Sequence, residues 1–175
     1  EGSQGVENDL LQAKVSANKI ARVPYGVDGV VFNSNKAELR REFRRRFNIP
    51  DSAFVVGRVA RFHPDKGFDL LIALLPQLRQ HIPELKVVLV GDGAEMASLL
   101  QQVKDLDLQQ TVIFTGFFLK TEQALAAFDL VAITARAEAL SISTLEAMAA
   151  GRAQVYYKVG GLAEGIPHGE NGLGV

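Results

Sequence analysis

From residue 54 onward, short apolar runs alternate regularly with segments of helical periodicity. The apolar runs, each typical of a strand, are residues 54–60, 86–90, 111–114, 130–134 and 154–157. The helical segments between them are residues 68–80, 94–104, 121–128 and 143–150. This alternation predicts a parallel sheet joined by right-handed crossovers, with helices covering both faces. We therefore expect an α/β fold built on a doubly wound parallel sheet.

The N-terminal part of the chain is less regular. Residues 1–18 are polar with scattered apolar positions, so we treat them as an uncertain N-terminal segment. The segment Lys19–Val23 is predicted to form a short strand before a turn-rich stretch. A helix is predicted at Lys36–Phe47, because apolar residues recur there at a spacing of four.

The predicted helix at 36–47 carries a cluster of basic side chains. Its arginines are Arg40, Arg41, Arg44, Arg45 and Arg46. A cluster of this kind can contact anionic lipid. Because Glu38 and Glu42 are interleaved with the arginines, a solvated helix face is the favoured interpretation, and membrane contact is not supported.

Composition excludes several classes of function. The net charge of −1 gives no general attraction for nucleic acid. The chain has no cysteine, and its three histidines are too far apart in sequence to suggest a metal site. No apolar run approaches the roughly 18–20 residues of a membrane span, and no signal peptide is recognisable, so we expect a cytoplasmic location. The first residue is glutamate, which suggests a piece of a longer protein.

Two glutamates mark the loop that follows the predicted strand at 130–134. Glu138 and Glu146 have seven residues between them, and the second lies in an apolar helical segment. In open parallel sheets, ligands bind beyond the C-terminal ends of the strands, where this loop lies. A helix N-terminus attracts phosphate, and a carboxylate accepts hydrogen bonds from sugar hydroxyls. The arrangement predicts half of a nucleotide-sugar site.

Several of these strand-end loops together resemble the C-terminal, donor-binding half of a GT-B glycosyltransferase of the retaining family 4. The matching pieces, in chain order, are residues 24–28 (PYGVD), 56–67 (VGRVARFHPDKG), 88–93 (VLVGDG), 112–116 (VIFTG), 138–151 (EALSISTLEAMAAG), 160–164 (GGLAE) and 171–173 (NGL). The resemblance covers about residues 19–175. It implies a Rossmann-like nucleotide-sugar donor-binding domain at 19–175, with the acceptor-binding domain outside this sequence.

The resemblance also implies a diphosphate site formed by two cations. Arg61 and Lys66 match the residues that hold the diphosphate of the donor, with no metal and no other cofactor required. Cationic side chains at this position offset the negative charge that grows as the sugar leaves. The alternative is that Lys66 is a solvated loop residue and that Arg61 pairs with Asp65.

The two glutamates match positions that contact the sugars of the donor. Glu138 corresponds to the acid beside the transferred sugar, and Glu146 to the acid that accepts hydrogen bonds from the ribose. A competing interpretation of Glu146 is a capping box with Ser143, in which the carboxylate returns to its own helix start. A helix cap at Ser141 would instead place Glu146 in the second turn, where it is free to bind a ligand.

The remaining candidate residues lie in neighbouring loops. Ile142 and Ser143 would present backbone amides and a hydroxyl to the phosphates at the helix start. Gly91 and Gly93 would let the backbone pass close to the ligand. Phe117 lies where relatives hold the base, although core packing is an equal alternative for it or for its neighbour Phe118.

The sequence therefore predicts a retaining, metal-independent glycosyltransferase domain that binds a nucleotide-diphosphate sugar such as a UDP-, GDP- or ADP-sugar. As an isolated chain it is expected to bind the donor weakly and to transfer no sugar. A catalytically silent Rossmann-like scaffold or interaction module is the alternative. A sugar-nucleotide epimerase or a phosphorylase of the same fold is less favoured.

Overall fold

The computed structural model of the protein describes residues 3–23, 25–139 and 141–175. Two residues of the sequence motifs, Pro24 and Leu140, lie outside the described residues. One six-stranded parallel sheet forms the centre of the molecule, in the order β3-β2-β1-β4-β5-β6. Its strands are β1 (Phe54–Val59), β2 (Leu85–Val90), β3 (Val112–Gly116), β4 (Leu130–Ile133), β5 (Ala153–Tyr156) and β6 (Gly172–Gly174). The predicted Rossmann-like α/β fold is confirmed.

Helices precede the sheet and connect its strands. They are α1 (Gln4–Gln12), α2 (Gly29–Asn33), α3 (Lys36–Arg46), α4 (Phe68–His81), α5 (Met96–Asp105), α6 (Thr121–Ala127), α7 (Ile142–Ala149) and α8 (Leu162–Gly165). The strand order reverses between β1 and β4, which pair directly in the middle of the sheet. In doubly wound folds a ligand crevice opens at this switch point, beyond the carboxyl ends of the two strands.

The core has two layers, one on each face of the sheet. Neighbouring residues of β1 point to opposite sides, so Val55 belongs to one apolar cluster and Val56 to the other. Helices α4 and α5 cover one face and contribute buried leucines such as Leu71 and Leu99. Helices α3, α6, α7 and α8 cover the other face, and Phe43 of α3 is among the residues buried there. Coverage of both faces explains the nearly continuous apolar run in β2.

The segment before β1 differs from the sequence-based expectation. Lys19–Val23 was predicted as a strand, but a single 3-10 turn ends at Lys19 and residues 20–23 form no strand. Residues 4–12 form a helix whose first amides are bound by a distant carboxylate: Gln4 N and Gly5 N donate to Glu164 at 2.8 and 3.1 Å. That contact depends on a residue far along the chain, so no local pattern indicates it.

The prediction of a solvated arginine face on α3 is wrong for Arg44. Arg44 is only 1% exposed, and its Nη2 lies 3.0 Å from Asp129 Oδ2. Arg40 Nη2 contacts the other oxygen of the same carboxylate at 2.9 Å. These arginines therefore fasten α3 to the start of β4. Within the part of the chain that the structure describes, no helix is long and apolar enough to cross a membrane.

Candidate functional site

A cavity of about 680 Å³ opens at the C-terminal edge of the sheet, beside the switch point. It brings together eight of the nine residues that the sequence singled out. These are Arg61, Lys66, Gly91, Phe117, Glu138, Ile142, Ser143 and Glu146. Tyr25, Asp92 and Thr121 also line it. The strand ends and the start of α7 thus converge on one space of ligand size.

The loop that carries Lys66 is braced against the loop that follows β4. Arg136 N donates to Asp65 O at 2.7 Å, and the Thr134 hydroxyl donates to Gly67 O at 2.6 Å. Residues Pro64–Lys66 form a 3-10 turn that ends at Gly67. The position of Lys66 is therefore set by the backbone of the loop that also carries Glu138.

Lys66 and Glu138 form an ion pair across the cavity wall. Lys66 Nζ lies 2.8 Å from Glu138 Oε2, and the two side chains are 23% and 12% exposed. The backbone of Glu138 is also fixed, because its carbonyl accepts a hydrogen bond from Gly161 N at 3.1 Å. The pairing of these two candidate residues with each other was not predicted.

Arg61 is exposed at the mouth of the same cavity. The alternative Arg61–Asp65 ion pair is absent among the described residues, and Asp65 Oδ2 instead lies 3.3 Å from His63 Nδ1. Two cationic side chains, one paired and one exposed, therefore line the same cavity.

Helix α7 is capped at Ser141, which has an extended backbone conformation. Glu146 consequently lies in the second turn, and the capping box with Ser143 does not form. Ile142 and Ser143 occupy the first two helical positions, whose amides have no acceptor within the helix. The hydroxyl oxygens of Ser141 and Ser143 lie 2.8 Å apart at the same helix end. This end of α7 offers donors and a favourable dipole to an anion.

Glu146 is partly withdrawn from solvent. Burial raises the pKa of its carboxyl above the ordinary value, the Thr121 hydroxyl partly offsets the rise, and repulsion from Glu122 adds to it. None of the ion pairs among the described residues involves Glu146, so its carboxylate oxygens are available as acceptors for hydroxyl donors. Thr121 was missed by sequence analysis, because nothing local links it to Glu146.

Of the two glycines in the Gly-Asp-Gly turn, Gly91 lines the cavity and Gly93 does not. A side chain at Gly91 would meet Ala60 O at 1.9 Å, so this glycine, which lines the cavity, is needed for packing against the end of β1. A side chain at Gly93 would meet Phe62 O at 2.3 Å, and Gly93 does not line the cavity. The close backbone approach that Gly93 permits in the structure is thus to Phe62, and a ligand contact of Gly93 stays a prediction.

The two phenylalanines after β3 separate into an exposed ring and a packed ring. Phe117 is 75% exposed on the cavity rim. Phe118 stacks edge-on against Phe43 with ring centroids 5.5 Å apart, so it belongs mainly to the core. Phe118 also lines the cavity, so Phe117 is the more exposed of two rings that a planar ligand could contact. Within residues 3–23, 25–139 and 141–175 no group of three acidic or histidine side chains could hold a metal ion.

Comparison with known proteins identifies relatives. The family model "Glycosyl transferases group 1" matches residues 40–175. The chain is 29% identical over 160 residues to N-acetyl-alpha-D-glucosaminyl L-malate synthase of Bacillus anthracis, covering 90% of this chain and 41% of that protein. It is 32% identical over 164 residues to a GDP-mannose-dependent alpha-(1-6)-phosphatidylinositol monomannoside mannosyltransferase of Mycolicibacterium smegmatis, covering 87% and 42%.

Solved structures give the same result. The crystal structure of Anabaena Alr3699/HepE in complex with UDP-glucose superposes with a TM-score of 0.89 at 31% identity, covering 99% of this chain and 48% of that one. The C-terminal domain of a glycosyl transferase group 1 family protein (LpcC) from Francisella tularensis gives a TM-score of 0.72 at 27% identity, covering 86% and 80%. The chain spans less than half the length of the two curated relatives. With this sheet, this cavity and these relatives, it belongs to the group 1 glycosyl transferases, as a domain of the GT-B type.

Proposed function

We propose that this chain is the donor-binding half of a retaining, metal-independent family 4 glycosyltransferase that uses a nucleoside diphosphate sugar. The observation that carries the proposal is one cavity lined by two cations, two carboxylates, an exposed aromatic ring and a helix N-terminus. The UDP-glucose complex of HepE and the GDP-mannose dependence of the mycobacterial relative support a nucleotide-sugar ligand. These two ligands differ in base, and titration with UDP, GDP and ADP distinguishes the bases.

The chemistry of the donor assigns a role to each group. Arg61, Lys66 and the first amides of α7 bind the diphosphate, whose negative charge increases as the glycosidic bond breaks. Arginine offers several hydrogen-bond donors in a fixed planar fork, and lysine offers a compact charge on a flexible side chain. Together they can stabilise the diphosphate as its negative charge increases. Glu146 accepts hydrogen bonds from the ribose, Glu138 faces the transferred sugar, and Phe117 contacts the base.

Titration calorimetry with UDP, GDP and ADP tests the site directly. At least one of the three is expected to bind, and Lys66→Ala should weaken its binding by about ten- to a hundredfold, because a hydrogen bond to a charged group contributes about 1.5–3 kcal/mol. Lys104→Ala, on an exposed position of α5, is the control and should leave affinity unchanged. Binding should also be unchanged in EDTA.

No heat with any nucleotide, from a folded sample, would favour the catalytically silent scaffold.

The Glu146→Gln variant should bind the nucleotide less tightly and yet be more stable without it. The raised pKa means that the folded state holds this proton more tightly than the unfolded state. Ionised Glu146 therefore costs stability, and the free energy of unfolding falls as pH rises from the ordinary carboxyl value through the raised one. The glutamine variant should lose that pH dependence.

Urea unfolding at several pH values and calorimetry together check the Glu146 prediction. Affinity is expected to fall about tenfold or more, since a charged acceptor is lost. Glu84→Gln, an exposed residue before β2, is the matched control and should change neither quantity. An unchanged dissociation constant would remove Glu146 from the ribose assignment, whatever happens to stability.

Sugar transfer is expected to need more protein than this chain. In the GT-B arrangement the donor lies in a cleft between two domains, and only one of them is in these residues. We therefore expect binding of the donor, but no transfer to an acceptor, from residues 1–175 alone. Product analysis after incubation with radiolabelled UDP-glucose or GDP-mannose checks this. The cytoplasmic location stays a prediction.

A further inference from the structure

Arg58 is a buried cation next to the proposed donor site, and none of the roles above uses it. It lies on β1 and is 2% exposed. Its Nη1 donates to Ala132 O at 3.1 Å, whereas its Nε has no partner among the described residues. Burying a cation with unmet hydrogen bonds is costly, so stability alone is a poor reason for an arginine here.

The contacts of Arg58 link it to both loops of the ion pair. Its guanidinium lies 5.1 Å from the ring centroid of Phe68, two residues after Lys66. Its bond to Ala132 holds β4, the strand that leads to the loop of Glu138. Arg58 and Glu138 also line one small cavity together with Ser141 and Ser143. Burial lowers the pKa of Arg58 to about 10, while attraction to Glu138 acts in the opposite direction. Arg58 is therefore charged at neutral pH.

The ion pair creates a conflict for the proposed function. Lys66 Nζ lies 2.8 Å from Glu138 Oε2 in the structure, whereas the proposed function assigns Lys66 to the diphosphate of the donor. When Lys66 moves away, Glu138 loses its close cation while its side chain is only 12% exposed. A poorly solvated carboxylate without a nearby cation is energetically unfavourable. Without a second positive charge, Glu138 would therefore oppose the movement of Lys66 to the diphosphate.

We propose that Arg58 is a positioning residue: the fixed counter-charge of Glu138, which lets Lys66 move from the carboxylate to the diphosphate while Glu138 keeps its place. Lys66 is then the mobile cation of the site and Arg58 the immobile one. The inference rests on the proposed function, because it concerns how the same site accepts a nucleoside diphosphate.

A double-mutant cycle with UDP as the probe tests the inference, or with GDP or ADP if one of those binds better. Arg58→Met keeps length and an apolar surface for Phe68 but removes the charge. It should weaken binding about tenfold, because charged groups of one network couple by about 0.5–3 kcal/mol. In the Glu138→Gln background no carboxylate competes for Lys66, so the same change should cost about threefold or less.

The cycle separates this role from a structural one. If Arg58 only supported the fold, its loss would weaken binding by the same factor in both backgrounds, and that result overturns the inference while leaving the proposed function intact. If the unmodified chain binds none of the three nucleotides, the result contradicts both the proposed function and the inference about Arg58. Circular dichroism and thermal melts confirm folding of each variant. Should Arg58→Met not fold, Arg58→Gln, which keeps an amide donor for Ala132 O, takes its place in the same cycle.

Discussion

Asp129→Ala is expected to destabilise the folded protein by about 3–5 kcal/mol, the cost of leaving a buried charge without its partner. Asp129 Oδ2 lies 3.0 Å from Arg44 Nη2 and also accepts a hydrogen bond from Val55 N at 2.8 Å. Arg44 is 1% exposed, and burial lowers its pKa while Asp129 raises it. A domain has only about 5–15 kcal/mol of stability in total, so this loss is a large fraction of it. The Asp129→Ala variant should therefore unfold at a much lower urea concentration than the unmodified protein.

The same carboxylate supplies its own control. Arg40→Ala removes the second ion pair of Asp129, whose arginine side chain is 32% exposed. Solvent screens this pair, so the loss should be about 1 kcal/mol or less. Urea unfolding followed by circular dichroism measures both variants. If the two variants lost equal free energy of unfolding, the burial of Arg44 would not be the reason for the large effect of Asp129→Ala.

The helix that carries Arg44 illustrates what sequence could and could not predict. The period of its apolar residues predicts α3 to within one residue, because helical periodicity is a local property. The same reasoning assigns its arginines to solvent, and that is wrong for Arg44, since only the fold brings Asp129 and the carbonyl oxygens of Pro50, Asp51 and Ala53 to it. A buried arginine is indistinguishable from a solvated one until its partners are known.

Short elements were missed for a related reason. Strand β6 has the sequence Gly-Leu-Gly, which has low strand propensity, and it exists through its pairing with β5. Helix α8 has four residues and no cap from a side chain. In contrast, β1 to β5 were predicted because each carries an apolar run that the two-sided burial of a parallel sheet requires.

The candidate site was more predictable than the contacts within it. Strand-end loops of a parallel sheet must meet at one edge, so the convergence of Arg61, Glu138 and Glu146 follows from topology. The partner of each side chain depends on loop geometry at the scale of one hydrogen bond. The Lys66–Glu138 ion pair and the buried charge of Arg58 were therefore found only in the structure.

Gly67→Ala is expected to destabilise the protein by about 2–5 kcal/mol and to weaken nucleotide binding. Gly67 has a φ of +61°, and a side chain on it would lie 1.9 Å from Thr134 O. The left-handed backbone costs a non-glycine residue about 1–2 kcal/mol, and forcing a methyl group into a filled space adds about 1–3 kcal/mol. Because the obstacle is backbone, the loop itself must move, and with it Lys66, which precedes Gly67.

Gly116→Ala separates the clash from the backbone strain. Gly116 has a φ of +70°, close to that of Gly67, but a side chain there would meet nothing within 4 Å. This variant should lose only the left-handed cost of about 1–2 kcal/mol and should keep its affinity for the nucleotide. Urea unfolding and calorimetry on the two variants give both quantities. If Gly67→Ala lost no more than Gly116→Ala in either measurement, the contact with Thr134 would not be what holds Lys66 in the cavity.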